Sequence, residues 1–295
     1  MKTRTFVVPL ACFLSLFFVS CESLHNSDLD RSGFRLVFNE GTEITGSDVQ
    51  SYDSATHLLF LKKDLHINQQ MTAFSVLVSG DTIYKGIKHS CYLSSWPPET
   101  FFVGDCYFYG HKVLALEYYP HGDDVRNDPR IINAFKQAGL LRNGIKCKID
   151  SLKIKRFDSS SEVVCSITLT NYDAFSYYIL DPHKMGEPHF SYFTGGVTLQ
   201  NNLSRESSFL RWSVSYPEYG TLSAGDYSIL PGNSKLSFTF SSADYYKMEA
   251  GTFSAFFRFK GVHNLSGDGD PALDQKKAKI WIGEDRAILN DITVE

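Results

Sequence analysis

No Cys-x-x-Cys pair occurs anywhere in the 295 residues, which removes the sequence signature of a zinc ribbon or a dithiol redox motif. Gly-x-Ser-x-Gly is also missing, and with it the strained strand-to-helix nucleophile of the α/β-hydrolases. The nine histidines are scattered without a partner pattern. Positive charge is scarce: 29 Lys and Arg face 33 Asp and Glu. Two of the basic residues, Lys2 and Arg4, lie at the extreme N-terminus, so the rest of the chain carries a net charge near −6. That balance excludes the basic stripe and high pI of a nucleic-acid binder. A membrane-spanning length of apolar sequence is lacking too. The run from Phe6 to Val19, broken by Pro9 and Ser15, would rise about 21 Å as a helix, short of the roughly 30 Å hydrocarbon core.

What that run does fit is a leader. Lys2 and Arg4 form a basic n-region ahead of a short apolar stretch, the pattern of a secretory signal that is later removed. Phe18-Val19-Ser20-Cys21 comes next and resembles a lipobox, in which an apolar residue and two small ones precede an obligatory cysteine. Phe18 stands where such motifs usually carry Leu. The resemblance implies that residues 1–20 are cleaved and that Cys21 takes the lipid and becomes the mature N-terminus. Residues 21–33 then read as a lipidated, polar, aperiodic tether. No Asp follows Cys21, and the acidic residues close behind it look like those of surface lipoproteins in Bacteroidetes-type envelopes. A lipid anchor in the outer membrane is the expectation, with the face left open.

Four cysteines remain once Cys12 is removed with the leader and Cys21 is acylated. In an exported protein disulfides can form. Cys91 and Cys106 flank the turn-like WPPET, and a hairpin turning between Pro98 and Glu99 would set them directly opposite one another, at the Cβ spacing a disulfide needs. Cys147 and Cys165 fit less well. Their strands meet near Phe157 to Ser160, which puts Cys165 opposite roughly residue 152, so two free thiols are expected there.

Beyond the tether the sequence predicts a mainly-β protein of two units. Residues 34–144 read as a small α+β domain. Strands are expected at GFRLVFN, THLLFLKK and KVLALEYY, with a hairpin in AFSVLVSGDTIYKG turning at Ser79-Gly80-Asp81. One helix is signalled by Asp128 as N-cap, Pro129 at its first position, Gly139 as its stop, and Ile131, Ile132 and Phe135 on one face. Residues 145–295 read as strands throughout, among them CKIDSLKIKRF, EVVCSITLTN, SYYIL, HFSYF, FLRWSVSY, KLSFTFS, TFSAFFRFK and AKIWIG. Eight or so short strands at regular spacing predict an antiparallel β-sandwich.

From Leu230 to Lys260 a Pro-Gly turn, an alternating strand and a Gly-Thr-Phe entry to the next strand resemble the latter half of an immunoglobulin-like domain. Phe253 lacks the hydroxyl that a tyrosine corner would supply, and the Cys–Trp–Cys arrangement of antibody domains is absent. The layout of anchor, α+β unit and immunoglobulin-like sandwich is similar to that of Bacteroidetes envelope lipoproteins, a resemblance that brings no catalytic residues with it.

Candidate sites are few. Asp268, Asp270 and Asp274, near Asn264, sit on a Gly-bent loop of the kind that can bind calcium, but EF-hand spacing is not matched and a solvated hairpin tip is the default. Asp123, Asp124 and Asp128 offer carboxylates for acid–base work, with Asp128 already used as a cap. His183 and His189, near Asp181 and Glu187, lie in a segment read as a long loop, where their spacing fixes no metal geometry. Tyr177, Tyr178 and Tyr192, with Phe190 and Phe193, could present rings to a sugar or peptide, and Trp96 could anchor a partner at its rigid turn; for most of the rings core packing is the default, and for Trp96 packing beneath its own hairpin. The expected function is therefore a lipid-anchored envelope protein with a non-enzymatic binding or structural role and no cofactor. Its partners would be the membrane and another envelope protein or a glycan, not nucleic acid. The rivals are a glycan-binding accessory lipoprotein and a hydrolase with its site in the inter-domain cleft.

Overall fold

In a computed structural model the described residues are 33–64, 72–89, 101–104, 112–118, 123–194, 196–204, 207–208, 222–246, 248–261 and 273–294. Strand makes up 56% and helix 11%, which puts the chain in the mainly-β class. The expected leader, the expected tether to residue 32, Cys91, Cys106, Trp96, Asp268 and Asp270 lie outside the described residues, as does the strand expected at FLRWSVSY.

The first nine strands are β1 (Phe34–Phe38), β2 (Glu43–Thr45), β3 (Val49–Asp53), β4 (Leu58–Leu61), β5 (Ala73–Val78), β6 (Asp81–His89), β7 (Phe101–Gly104), β8 (Val113–Tyr118) and β9 (Leu141–Arg142), with helix α1 (Pro129–Gln137) before β9. They form one sheet in the order β2-β1-β5-β6-β7-β8-β4-β3-β9. The β5–β6 turn is Ser79-Gly80, both at positive φ, with Val78 paired to Asp81. Two left-handed residues give the turn the twist that an antiparallel pair requires.

Helix α1 forms where its signals lie. The Asp128 carboxylate accepts the Arg130 N–H at 2.8 Å, Pro129 occupies the first turn, and Ile131, Ala134 and Phe135 are buried. The sheet curls around this helix. Phe135 meets Phe34 of β1 at 4.6 Å between ring centroids and Tyr52 of β3 at 4.7 Å, although those strands lie near opposite ends of the sheet order.

The remaining strands are β10 (Ile145–Arg156), β11 (Ser160–Asn171), β12 (Tyr177–Leu180), β13 (Val197–Asn201), β14 (Ser207–Ser208), β15 (Tyr227–Leu230), β16 (Lys235–Tyr246), β17 (Gly251–Lys260), β18 (Lys279–Ile280) and β19 (Glu284–Val294), with helices α2 (Pro182–Met185) and α3 (Glu187–Thr194). One sheet runs β10-β11-β16 and another β14-β13-β17-β19. The first, second and fifth strands of the sandwich thus share one sheet, and the third, fourth, sixth and seventh share the other. These two sheets face each other as the layers of a β-sandwich, and the ordinals leave out β12, β15 and β18, which form a sheet of their own. Between the sheets pack Cys165, Ile167, Leu169, Phe238, Phe240, Phe257 and Phe259, all under 9% exposed. Cys165 lies opposite Leu152 on β10, and Cys147 and Cys165 are both free thiols.

The expectation of strands throughout this unit is corrected at residues 182–194. DPHKMGEPHFSYFT folds as α2 and α3, not as a loop leading to a strand. Asp181 caps α2 by accepting the His183 N–H at 2.9 Å, and Pro182 starts it. Helix α3 then carries Phe190 between the sheets, 5.7 Å from Phe238, 5.4 Å from Phe240 and 6.3 Å from Phe259. A third small sheet, β15-β12-β18, completes the unit, and β18 runs parallel to β12.

The two units share a wall. Along β4, Leu58 and Phe60 pack on the sandwich core while Leu59 and Leu61 pack on the first core. On neighbouring β8, Val113 and Ala115 face the sandwich, and Leu114 and Leu116 face the first core. The apolar run Leu58–Leu61 is therefore a strand buried on both faces, which is why it does not alternate.

Candidate functional site

A cavity of about 450 Å³ opens beside this shared wall, lined by residues of the turn before β4, the end of β8, the loop before α1 and the start of β19. Its volume falls within the usual range for small-ligand sites. The lining is dominated by charged groups: Glu117, Asp124, Arg126, Glu284, Asp285 and Arg286.

Each contributor is fixed by local structure. The Asp53 carboxylate accepts the backbone N–H groups of Ala55 at 2.9 Å and Thr56 at 3.1 Å, an Asx-type turn that delivers His57 to the cavity. His57 Nδ1 lies 2.9 Å from the Tyr52 hydroxyl, which is also 3.1 Å from the Arg126 carbonyl. Tyr52 has one proton to give. Both contacts are satisfied when it donates to the carbonyl and accepts from His57 Nδ1–H, leaving Nε2 as the acceptor of a neutral ring. Burial, and then the charge of Arg126, push the His57 pKa down to about 3, so the imidazole is neutral at physiological pH.

Arg126 is engaged from three sides. Its guanidinium forms a two-point pair with Asp124, at 2.9 and 2.7 Å, donates to the Leu116 carbonyl at 2.7 Å, and lies over the Tyr118 ring. Burial opposes ionisation of Asp124, but the hydrogen bonds and charge of Arg126 outweigh it, and the carboxyl is held below its ordinary range. On the opposite wall Glu284 accepts from Arg286 Nε at 2.6 Å. Asp285 accepts the Cys147 N–H at 2.6 Å, and burial nonetheless raises its pKa.

Glu117 differs. Among the described residues it has no hydrogen-bond or ion-pair partner. Desolvation raises its pKa, against the pull of Arg126 and Arg286. It occupies the same face of β8 as Val113 and Ala115, so its carboxyl points where the strand's pattern calls for an apolar side chain. The arrangement can receive a polar ligand group at Glu117 while Asp124 and Glu284 are paired with Arg126 and Arg286 and Asp285 accepts the Cys147 N–H.

Of the described residues singled out from the sequence, only Asp124 lines this cavity. Asp128 serves as the α1 cap and pairs with Arg130 at 2.8 Å, and Asp123 is exposed. Asp274 accepts the Lys276 N–H at 3.1 Å in an exposed turn. His183 and His189 stand on separate helices, their rings against Phe238 and Phe193. Among the described residues no group of three or more His, Cys, Asp or Glu is placed to hold a metal ion.

Tyr177 and Tyr178 are core residues, 2% and 8% exposed, because β12 is the middle strand of its sheet and all four of its residues are buried. The Tyr177 hydroxyl donates to Asp173 at 2.7 Å. Tyr192 is half-buried and meets Phe193 edge-on at 5.1 Å, so no flat row of rings forms here.

Sequence reasoning missed Glu117, Arg126 and the Glu284-Asp285-Arg286 run because they come from three distant segments. One signal was present: in KVLALEYY, Glu117 falls at the phase of Val113 and Ala115, a charge at an inward position. No family model matches the chain, nor does any curated protein or solved structure.

Proposed function

We propose that the protein is a lipid-anchored component of the cell envelope that binds a ligand or partner without turning it over, and that the inter-domain cavity is its recognition site. The observation that carries this reading is the internal pairing of the cavity's charges, Asp124 with Arg126 and Glu284 with Arg286. Side chains already tied to one another are preorganised for recognition, whereas a hydrolytic site needs a nucleophile or water held against a free base. Glu117 is the one lining carboxyl left to meet a ligand's N–H or O–H group. The raised pKa values of Glu117 and Asp285 favour a second reading, a hydrolase that uses one of them as general acid.

A pull-down from detergent-solubilised envelope separates the two. The acylated protein should retain a component that a Glu117→Arg variant, with a long cation placed across the cavity, fails to retain, while both melt at similar temperatures. Conversion of the retained component during prolonged incubation with the parent protein would establish the hydrolase. The anchor has its own test: Cys21→Ala should move the protein from the membrane fraction to the soluble one, and continued sedimentation with membranes would rule out lipidation.

A further inference from the structure

The outward face of β10-β11-β16 carries a charge pattern unlike that of the whole chain. A bulge at Asp150 resets the phase of β10. Lys146 and Lys148 before it and Lys153 and Lys155 after it therefore all point outward, and Lys235 does so on β16. Among the residues whose side chains are described, five lysines stand against two acids, Asp150 and Glu162, on a protein whose net charge is −4. Of these lysines Lys148 has an ion-pair partner, Asp150 at 3.2 Å; Lys146, Lys153 and Lys235 have none among the described residues.

Between the two lysine edges runs a strip of hydroxyls. Ser166 meets Thr239 at 3.0 Å, and Thr168 meets Ser237 at 2.7 Å. The upper part of the strip is a trough of about 410 Å³ lined by Lys146, Lys148, Thr168, Thr170, Lys235 and Tyr172, whose ring is 53% exposed. Lysines alone would need no further account, because sheet edges carry them to prevent strand addition. That role does not require hydroxyls across the central strand or a trough between the edges.

We propose that this face docks an acidic polysaccharide, one bearing carboxylate or sulfate groups, laid across β11. The lysines match its charges. Ser166 and Thr239 share one hydroxyl hydrogen bond and keep a second proton for a sugar hydroxyl, while Thr168, which donates to Asp150 at 2.5 Å, and Ser237 offer acceptor lone pairs. A single-stranded nucleic acid would need a series of stacking rings, and Tyr172 is one ring. An anionic bilayer would need several apolar side chains to insert beside the cations, and the trough offers the single ring of Tyr172. The proposal is independent of the inter-domain cavity.

Affinity electrophoresis of the full acylated chain in detergent tests it, with polygalacturonate or dextran sulfate in the gel and neutral dextran as reference. Both acidic polymers should retard the protein, less so at high salt, and dextran should not. Lys146→Gln, Lys148→Gln and Lys235→Gln combined should weaken retardation about tenfold, the sum of three exposed charge pairs. The same charge change at Lys85, Lys112 and Lys136 should leave it intact. Equal loss in both triple variants, no retardation of the parent, or a preference of this face for phosphatidylglycerol vesicles or oligothymidylate would overturn the assignment.

Discussion

Replacing Asp53 by Asn should stabilise the protein by about 2 kcal/mol at pH 7.5 and leave its stability nearly unchanged at pH 4. Asp53 is 2% exposed, and burial, reinforced by Asp173, raises its pKa from 3.8 to about 6 despite the two N–H groups it accepts. A folded-state value above the unfolded one means that the native protein holds the proton more tightly. The linked penalty is absent below about pH 4, grows between about pH 4 and 6, and is complete above that. The shift corresponds to about 3 kcal/mol. An Asn Oδ1 can still accept from Ala55 and Thr56, so most of this returns on substitution, less the cost of burying the Asn amide N–H groups. Chemical denaturation across that pH range measures it. A difference between variant and parent that does not change with pH would show that ionised Asp53 is not the source of the penalty.

Gly283→Ala should cost about 2–4 kcal/mol, the sum of a left-handed alanine and steric overlap in a packed contact. Gly283 sits at φ 100°, immediately before Glu284 and Asp285. A Cβ there would lie 2.7 Å from Thr56 Cβ and 2.8 Å from its Cγ2. Thr56 belongs to the turn that presents His57, so relief of the clash must displace one wall of the cavity from the other. Thr56→Gly in the same chain removes the steric part and should recover about half of the loss; the backbone part stays. Urea denaturation of the two single variants and the double variant gives the coupling. Strict additivity would mean that the two residues do not press on each other.

Much of the fold was legible because its signals are local. Asp128, Pro129 and Gly139 bracket α1, Ser79-Gly80 turns its hairpin, and the meeting point near Phe157 placed Cys165 opposite Leu152. Residues 187–194 misled because His189 and Ser191 alternate with the aromatic Phe190 and Tyr192 in a way that mimics a strand. Asp181, Pro182 and Pro188 were the helix signals that should have outweighed that alternation. The candidate site was nearly illegible for a different reason. Arg126 is held by Asp124 next to it in sequence and by Leu116 across the sheet, but its relation to Glu284 and Arg286 exists only after the sandwich closes on β4 and β8. A single sequence carries no trace of that contact except the misplaced charge at Glu117.

The double-sided burial of β4 limits how this chain can be rearranged in evolution. Domains that travel by gene shuffling carry their own interiors with them. Here the sandwich would leave Leu58, Phe60, Val113 and Ala115 behind and arrive in a new protein with part of its interior open to water. The first unit, in turn, would expose the reverse side of its own central strands. Neither unit closes its interior without the other, and a change at residues 58–61 is felt by both interiors at once.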